Sequence, residues 1–147
     1  MYPFLVHLHS GFRYIVLVLL LAVIVKSLMG WLNKSKFEAI DNKLSLWLLI
    51  ATHLQLLGGL VLYFISPFVQ FNSTTMKDAT TRYWTVEHLT MMLVAVALIT
   101  VARITHKKLT TADAKFRRLF VLNLVALIFI VVSILASHRG LIIPVRG

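Results

Sequence analysis

Four apolar stretches of about 20 residues each dominate this sequence, and coiled as a helix each matches the ~30 Å hydrocarbon core of a bilayer. They run from about Gly11 to Trp31, Leu44 to Ser66, Thr85 to Ile104 and Leu119 to Ser137, the second stopping at the helix-breaking Pro67. In lipid a span must satisfy its backbone polar groups internally, and a β-barrel strand would alternate polar and apolar residues, which these runs do not. The expected fold is therefore all-α: a transmembrane up-and-down four-helix bundle forming one domain over residues 1–147. Connections of 12 to 18 residues make neighbours antiparallel, so spans one and three run parallel.

With 59% hydrophobic and 14% charged residues, a water-soluble globule is excluded. There is no cysteine, hence no disulfide, thiolate metal site or iron–sulfur cluster. The net charge of +10 sits in short segments flanking the spans, where it sets topology and meets anionic lipid; the partner it implies is the bilayer and not nucleic acid. Ten basic residues (Lys26, Lys34, Lys36, Lys43, Arg103, Lys107, Lys108, Lys115, Arg117, Arg118) fall on the side of the first and third loops. Five (Arg13, Lys77, Arg82, Arg139, Arg146) fall on the side of the second loop and both termini. The positive-inside rule then places both termini outside. Trp31, Trp47, Tyr83 and Trp84 fit interfacial belts. The opening MYPFLVHLHS has no basic n-region and no small-residue cleavage site follows, so an uncleaved first span is expected.

Six histidines in so apolar a chain need a reason, because ionisable groups in spans are costly and face cavities or partners. His7, His9, His88 and His138 gather at the outer face. His53 lies mid-span, about 14 Å from the inner end of span two, and reads as a buried imidazole bonded to a neighbouring helix. His106, in the basic inner loop, reads as solvated. His9 and His88 open parallel spans at equal depth, the arrangement that bis-histidine heme ligation requires. His7 and His9 point about 200° apart around a helix, so only one faces inward. The choice falls on His9, because Arg13, one turn on, then lies beside it to pair with a heme propionate. In the span-two segment HLQLLGGLVLYF, Gly58 and Gly59 permit close approach of a helix or a macrocycle. Gln55, Gly59 and Tyr63 share one i, i+4, i+8 row toward the same cavity.

The series HLHSGFRYIVLVLLLAV, HLQLLGGLVLYF and VEHLTMMLVAVALI resembles one four-helix half of heme A synthase, and is similar to small four-span bacterial b-type cytochrome-like proteins. The likeness covers spans one to three, about half the chain. It implies that His9 and His88, which open their spans, ligate a heme b on the outer face of a bacterial inner membrane. It also implies electron transfer with a quinol or respiratory-complex partner. The chain departs from the synthase pattern in carrying Val6 where a glutamate precedes the first histidine, in placing Glu87 beside His88, and in having one bundle where the synthase has two. These departures point to an electron carrier or accessory subunit, not a heme-modifying enzyme.

Plainer readings stand beside this one. His9 and His88 can be interfacial histidines bonded to lipid, water or backbone; Gly58 and Gly59 can be a packing notch; Met91 and Met92 read as core filler. His138 caps carbonyls or guards a cofactor. His7, His9, Glu87, His88 and His138 together offer zinc or copper ligands, without a local HExxH-type spacing. A heme-free accessory subunit, alone or as a homo-oligomer, needs only polar residues that glue helices together. No inverted repeat or broken-helix pair suggests a transporter.

Overall fold

The computed structural model describes residues 2–65 and 86–136. Four helices account for nearly all of them: α1 Tyr2–Leu32, α2 Ala39–Ile65, α3 His88–His106 and α4 Ala112–Ala136. Each is long and apolar enough to cross a membrane. They pack as an antiparallel ring in which α1 touches α2 and α4, α3 touches α4 and, most thinly, α2; α1 and α3 lie on the diagonal. Among the described residues there is no strand.

The helices outrun the apolar stretches. α1 starts at Tyr2 and α2 at Ala39, so the α1–α2 connection shrinks to residues 33–38 and the α3–α4 connection to 107–111. At 1.5 Å per residue the 31-residue α1 is about 46 Å long, so its ends project through the headgroup layer. Helical hydrogen bonding does not stop where hydropathy does. His7 and His9 consequently lie within α1 and not ahead of it.

A repeat averaging 3.5 residues marks the inward face of every helix. It reads Val6, His9, Arg13, Val16, Leu20, Val23, Ser27 and Gly30 on α1, and Asp41, Ser45, Leu48, Thr52, Gln55 and Gly59 on α2. On α3 it reads His88, Met92, Ala95, Ile99, Ala102 and His106; on α4, Phe116, Leu119, Asn123, Ala126, Ile130 and Ser133. All are buried or half-buried. This spacing keeps one seam of each helix facing its neighbours along the bundle. The dry middle is built by Leu20, Leu48, Ile99, Leu119 and Ala126.

At the loop end, polar groups clamp the helices to one another. The chain leaves α1 through Lys34 at φ 53°, with Ser35 N donating to Gly30 O (3.0 Å) and Lys34 N to Trp31 O (3.4 Å), a Schellman closure. α2 begins with Glu38 N donating to Asp41 Oδ2 (2.8 Å), while the other Asp41 oxygen pairs with Lys26 Nζ (2.8 Å). Arg103 Nη1 donates to Asn42 O (3.0 Å) and Oδ1 (2.6 Å), tying α3 to α2. Trp31 is half-buried against Phe120, with ring centroids 6.0 Å apart.

His106 corrects the expectation of a solvated side chain: it is 1% exposed and stacks at 5.3 Å on Phe37, which also meets Phe116. The reason is helical phase. His106 lies 18 residues from His88, five whole turns, so both occupy the same inward stripe at opposite ends of α3. His53 is corrected as well. It is exposed on α2, and its Nδ1 donates to Leu49 O on its own helix (2.9 Å).

Candidate histidine site

Opposite the loop end, the inward stripes finish in polar residues: His9 and Arg13 from α1, Gln55 and Gly59 from α2, His88 from α3 and Ser133 from α4. His9 turns inward because it continues the Val6–Val16–Leu20 stripe, whereas His7, two residues earlier, is exposed. The imidazole of His9 lies over the glycine pair of α2. A methyl placed on Gly59 would come 3.2 Å from His9 Cε1 and 3.7 Å from Nε2, and one on Gly58 would come 3.5 Å from Nδ1. The room left by the two missing side chains is thus taken by the His9 ring.

Gln55 fixes this arrangement from the same helix. Its Nε2 donates to the His9 carbonyl (2.8 Å) and stands 3.5 Å from His9 Nε2. A backbone carbonyl of α1, about two turns from the start of that helix, is thereby tied across to α2. His9 Nδ1 is buried and has no hydrogen-bond partner among the described residues. A buried polar atom without a partner is uncommon and asks for an explanation, because desolvating it without a bond costs about 1–3 kcal/mol.

His88, in the first turn of α3, is half-buried, and its Nδ1 lies 3.3 Å from Ser133 Oγ on α4. The Arg13 guanidinium lies 5.1 Å over the Tyr14 ring and donates to its hydroxyl (3.3 Å). Tyr63 is half-buried beside Phe64, with centroids 5.8 Å apart. Met92 packs against the core.

The structure therefore brings together His9, Gln55, Gly58 and Gly59 on one side and His88 with Ser133 on the other. It separates His7 and His53 from them. His138 lies outside the described residues, as do Lys77, Arg82, Tyr83, Trp84, Arg139 and Arg146. No three His, Cys, Asp or Glu side chains converge among the described residues, so a zinc or copper site of that kind is not assembled there. Ser133 is the residue sequence reasoning missed. Its signal was a lone hydroxyl on the Phe116–Leu119–Asn123–Ala126–Ile130 stripe of span four, where every other turn is packed.

No family model, curated protein or solved structure matches this chain.

Proposed function

We propose that this chain is a b-type heme protein of a bacterial inner membrane, carrying electrons between a quinol or respiratory-complex donor and an acceptor at its outer face. The observation that supports it is that the inward stripes of α1 and α3 end in His9 and His88 at the same end of the bundle, with His9 Nδ1 buried and lacking a partner among the described residues. Two neutral imidazoles on facing helices are a suitable axial pair for heme iron.

The residues present fit such a group. The Ser133 hydroxyl beside His88 Nδ1 would orient the ring, as outer-sphere bonds do for metal-bound histidines. Gln55 holds the α1 backbone at His9, so the ring is presented from a fixed helix turn. Gly58 and Gly59 keep the wall of α2 flat there, Arg13 offers a cation one turn from His9, and Tyr63 extends the same wall. The heme would supply reversible one-electron chemistry. The protein would supply the ligands, the low dielectric and the charge for the propionates. The ten-to-five distribution of basic residues supports a loop end inside and a histidine pair outside.

The visible spectrum of the purified protein, before and after titration with hemin, tests the reading. A Soret band with sharp reduced α and β bands is expected. Both His9→Ala and His88→Ala should abolish the low-spin form, while His7→Ala and His53→Ala, at exposed positions, retain it. Failure of well-folded protein to take up heme in either form refutes it.

A further inference from the structure

α2 carries a second stripe. On its outward side Leu46, Ile50, His53, Leu57, Leu60 and Phe64 follow the same spacing of four, three, four, three and four residues, and all but half-buried Leu60 are exposed. In a 3.5-residue repeat this stripe is offset by five positions from the inward one, about 150° around the helix. The inward stripe is used by the bundle, and the outward one faces away from it.

His53 stands one residue past the centre of the 27-residue α2. Its Nδ1 donates to Leu49 O, which leaves Nε2 as the ring nitrogen able to accept a hydrogen bond at mid-span. Lipid tails offer it nothing, and ionisable residues at that depth face a partner or a cavity. Across the exposed surfaces of the described helices, the residues at comparable depth are otherwise apolar: Val18, Leu21 and Val25 on α1, Val94 and Val101 on α3, Val121 and Ile128 on α4.

We infer that the outward face of α2 is a dimer interface with a second copy of this chain, pairing His53 with His53 about a two-fold axis along the membrane normal. Copies inserted in one orientation can form an isologous pair only about that axis, and it brings each residue to its own depth in the partner. The complementary group available at mid-membrane on a second copy is then His53 itself. One ring of the pair takes the Nε2–H tautomer and donates to the bare Nε2 of the other. The Leu49 carbonyl it releases still accepts the helical amide of His53. A single polar residue within an apolar seam of 3.5-residue spacing is a device that sets register and orientation in helix pairs. Leu46, Ile50, Leu57 and Phe64 supply the surrounding packing, the main driving force between helices in lipid.

The absence of native cysteine permits a direct test in membranes containing the full-length chain. Ile50→Cys and Leu57→Cys should form disulfide-linked dimers on mild oxidation, while Val101→Cys on α3 stays monomeric. Adding His53→Leu to Leu57→Cys should slow cross-linking and weaken association about five- to thirtyfold, the effect of one interhelical hydrogen bond in lipid. His53→Asn, which keeps both donor and acceptor, should restore it. Because His53 faces outward, helicity and thermal unfolding of the monomer should be unchanged, which separates a lost interface from a lost fold. The inference is overturned if the seam cysteines cross-link no faster than Val101→Cys, if they link to a protein of different mass, or if His53→Leu leaves the rate unaltered. None of these outcomes depends on heme.

Discussion

Gly30 of α1 packs directly against the Phe116 ring of α4, and it gives the sharpest test of the packing. A Cβ at this position would lie 2.6, 2.7 and 2.8 Å from the Cζ, Cε1 and Cε2 atoms of Phe116. Relaxed carbon contacts need about 3.5–4.0 Å, so Gly30→Ala drives a methyl roughly 1 Å into three ring atoms at once. The ring has nowhere to go: Phe116 is 1% exposed and is held on its other side by Phe37 at 5.2 Å. The helices must separate, and overpacking of this kind costs about 1–3 kcal/mol. Alanine regains up to about 1 kcal/mol of helix propensity in water, but less here, because membrane spans stay helical when the bundle opens.

Phe116→Leu alone should cost about 1–2 kcal/mol through the space it leaves. In the double variant the alanine methyl enters that space, so the two losses should not add, leaving a favourable coupling of about 1–3 kcal/mol. The assay is reversible unfolding in mixed micelles of increasing SDS fraction, followed by tryptophan fluorescence and tertiary contacts. Gly30→Ala equal to or more stable than the parent, or strict additivity in the cycle, refutes the contact and the α1–α4 seam with it.

Three further outcomes are expected. Gly59→Leu should destabilise the bundle by about 1–3 kcal/mol in the same assay, because a side chain there meets the His9 ring at 3.2 Å, whereas Gly11→Leu, with nothing within 4 Å, should stay within about 0.5 kcal/mol; equal losses would remove His9 from the α2 wall. Cysteines introduced at Ser35 and Thr111 should react with an impermeant reagent only after the inner membrane is breached, and labelling in intact cells would reverse the orientation. Lys34→Gly should raise stability by roughly 1 kcal/mol, since Lys34 holds φ 53° where a side chain is strained; a loss of stability would deny the left-handed turn.

The number of helices, their antiparallel order and the inward choice of His9 over His7 follow from apolar length and helical phase, both of which a sequence carries openly. The errors arose where phase was not followed to the end of an element. His106 was assigned to a loop on hydropathy, yet it continues the stripe of His88, Met92, Ala95, Ile99 and Ala102, and the helix persists until that residue is reached. Ser133 was passed over because a single hydroxyl barely dents an apolar run, although its register with Ile130 and Ala126 already aimed it at the core. His53 could not be assigned from span two alone. Its row is as apolar as the row that faces inward, and which of two apolar stripes meets the bundle depends on how α1 and α3 sit against α2. The Gln55 bond to the His9 carbonyl was equally hidden, since a side chain that binds backbone leaves no mark on the residue it binds.

The two ends of the bundle use polar residues in opposite ways. At the loop end the polar groups satisfy one another: Lys26 with Asp41, Arg103 with the Asn42 amide oxygen, and the Asp41 carboxylate with the Glu38 amide that precedes α2. Between the ends, Leu20, Leu48, Ile99 and Leu119 close the interior, each at most 2% exposed. The polar side chains at that level turn back on their own helices, Thr52 onto Leu48 O and Leu49 O and Asn123 onto Leu119 O. An apolar layer therefore separates the polar groups of the two ends, apart from Asn123 Oδ1, which is buried there without a hydrogen-bond partner among the described residues. At the far end the His9 imidazole keeps a buried nitrogen without a partner among the described residues. On the heme reading proposed above, ligand chemistry would belong to the His9–His88 end, while the loop end holds the four stripes in register.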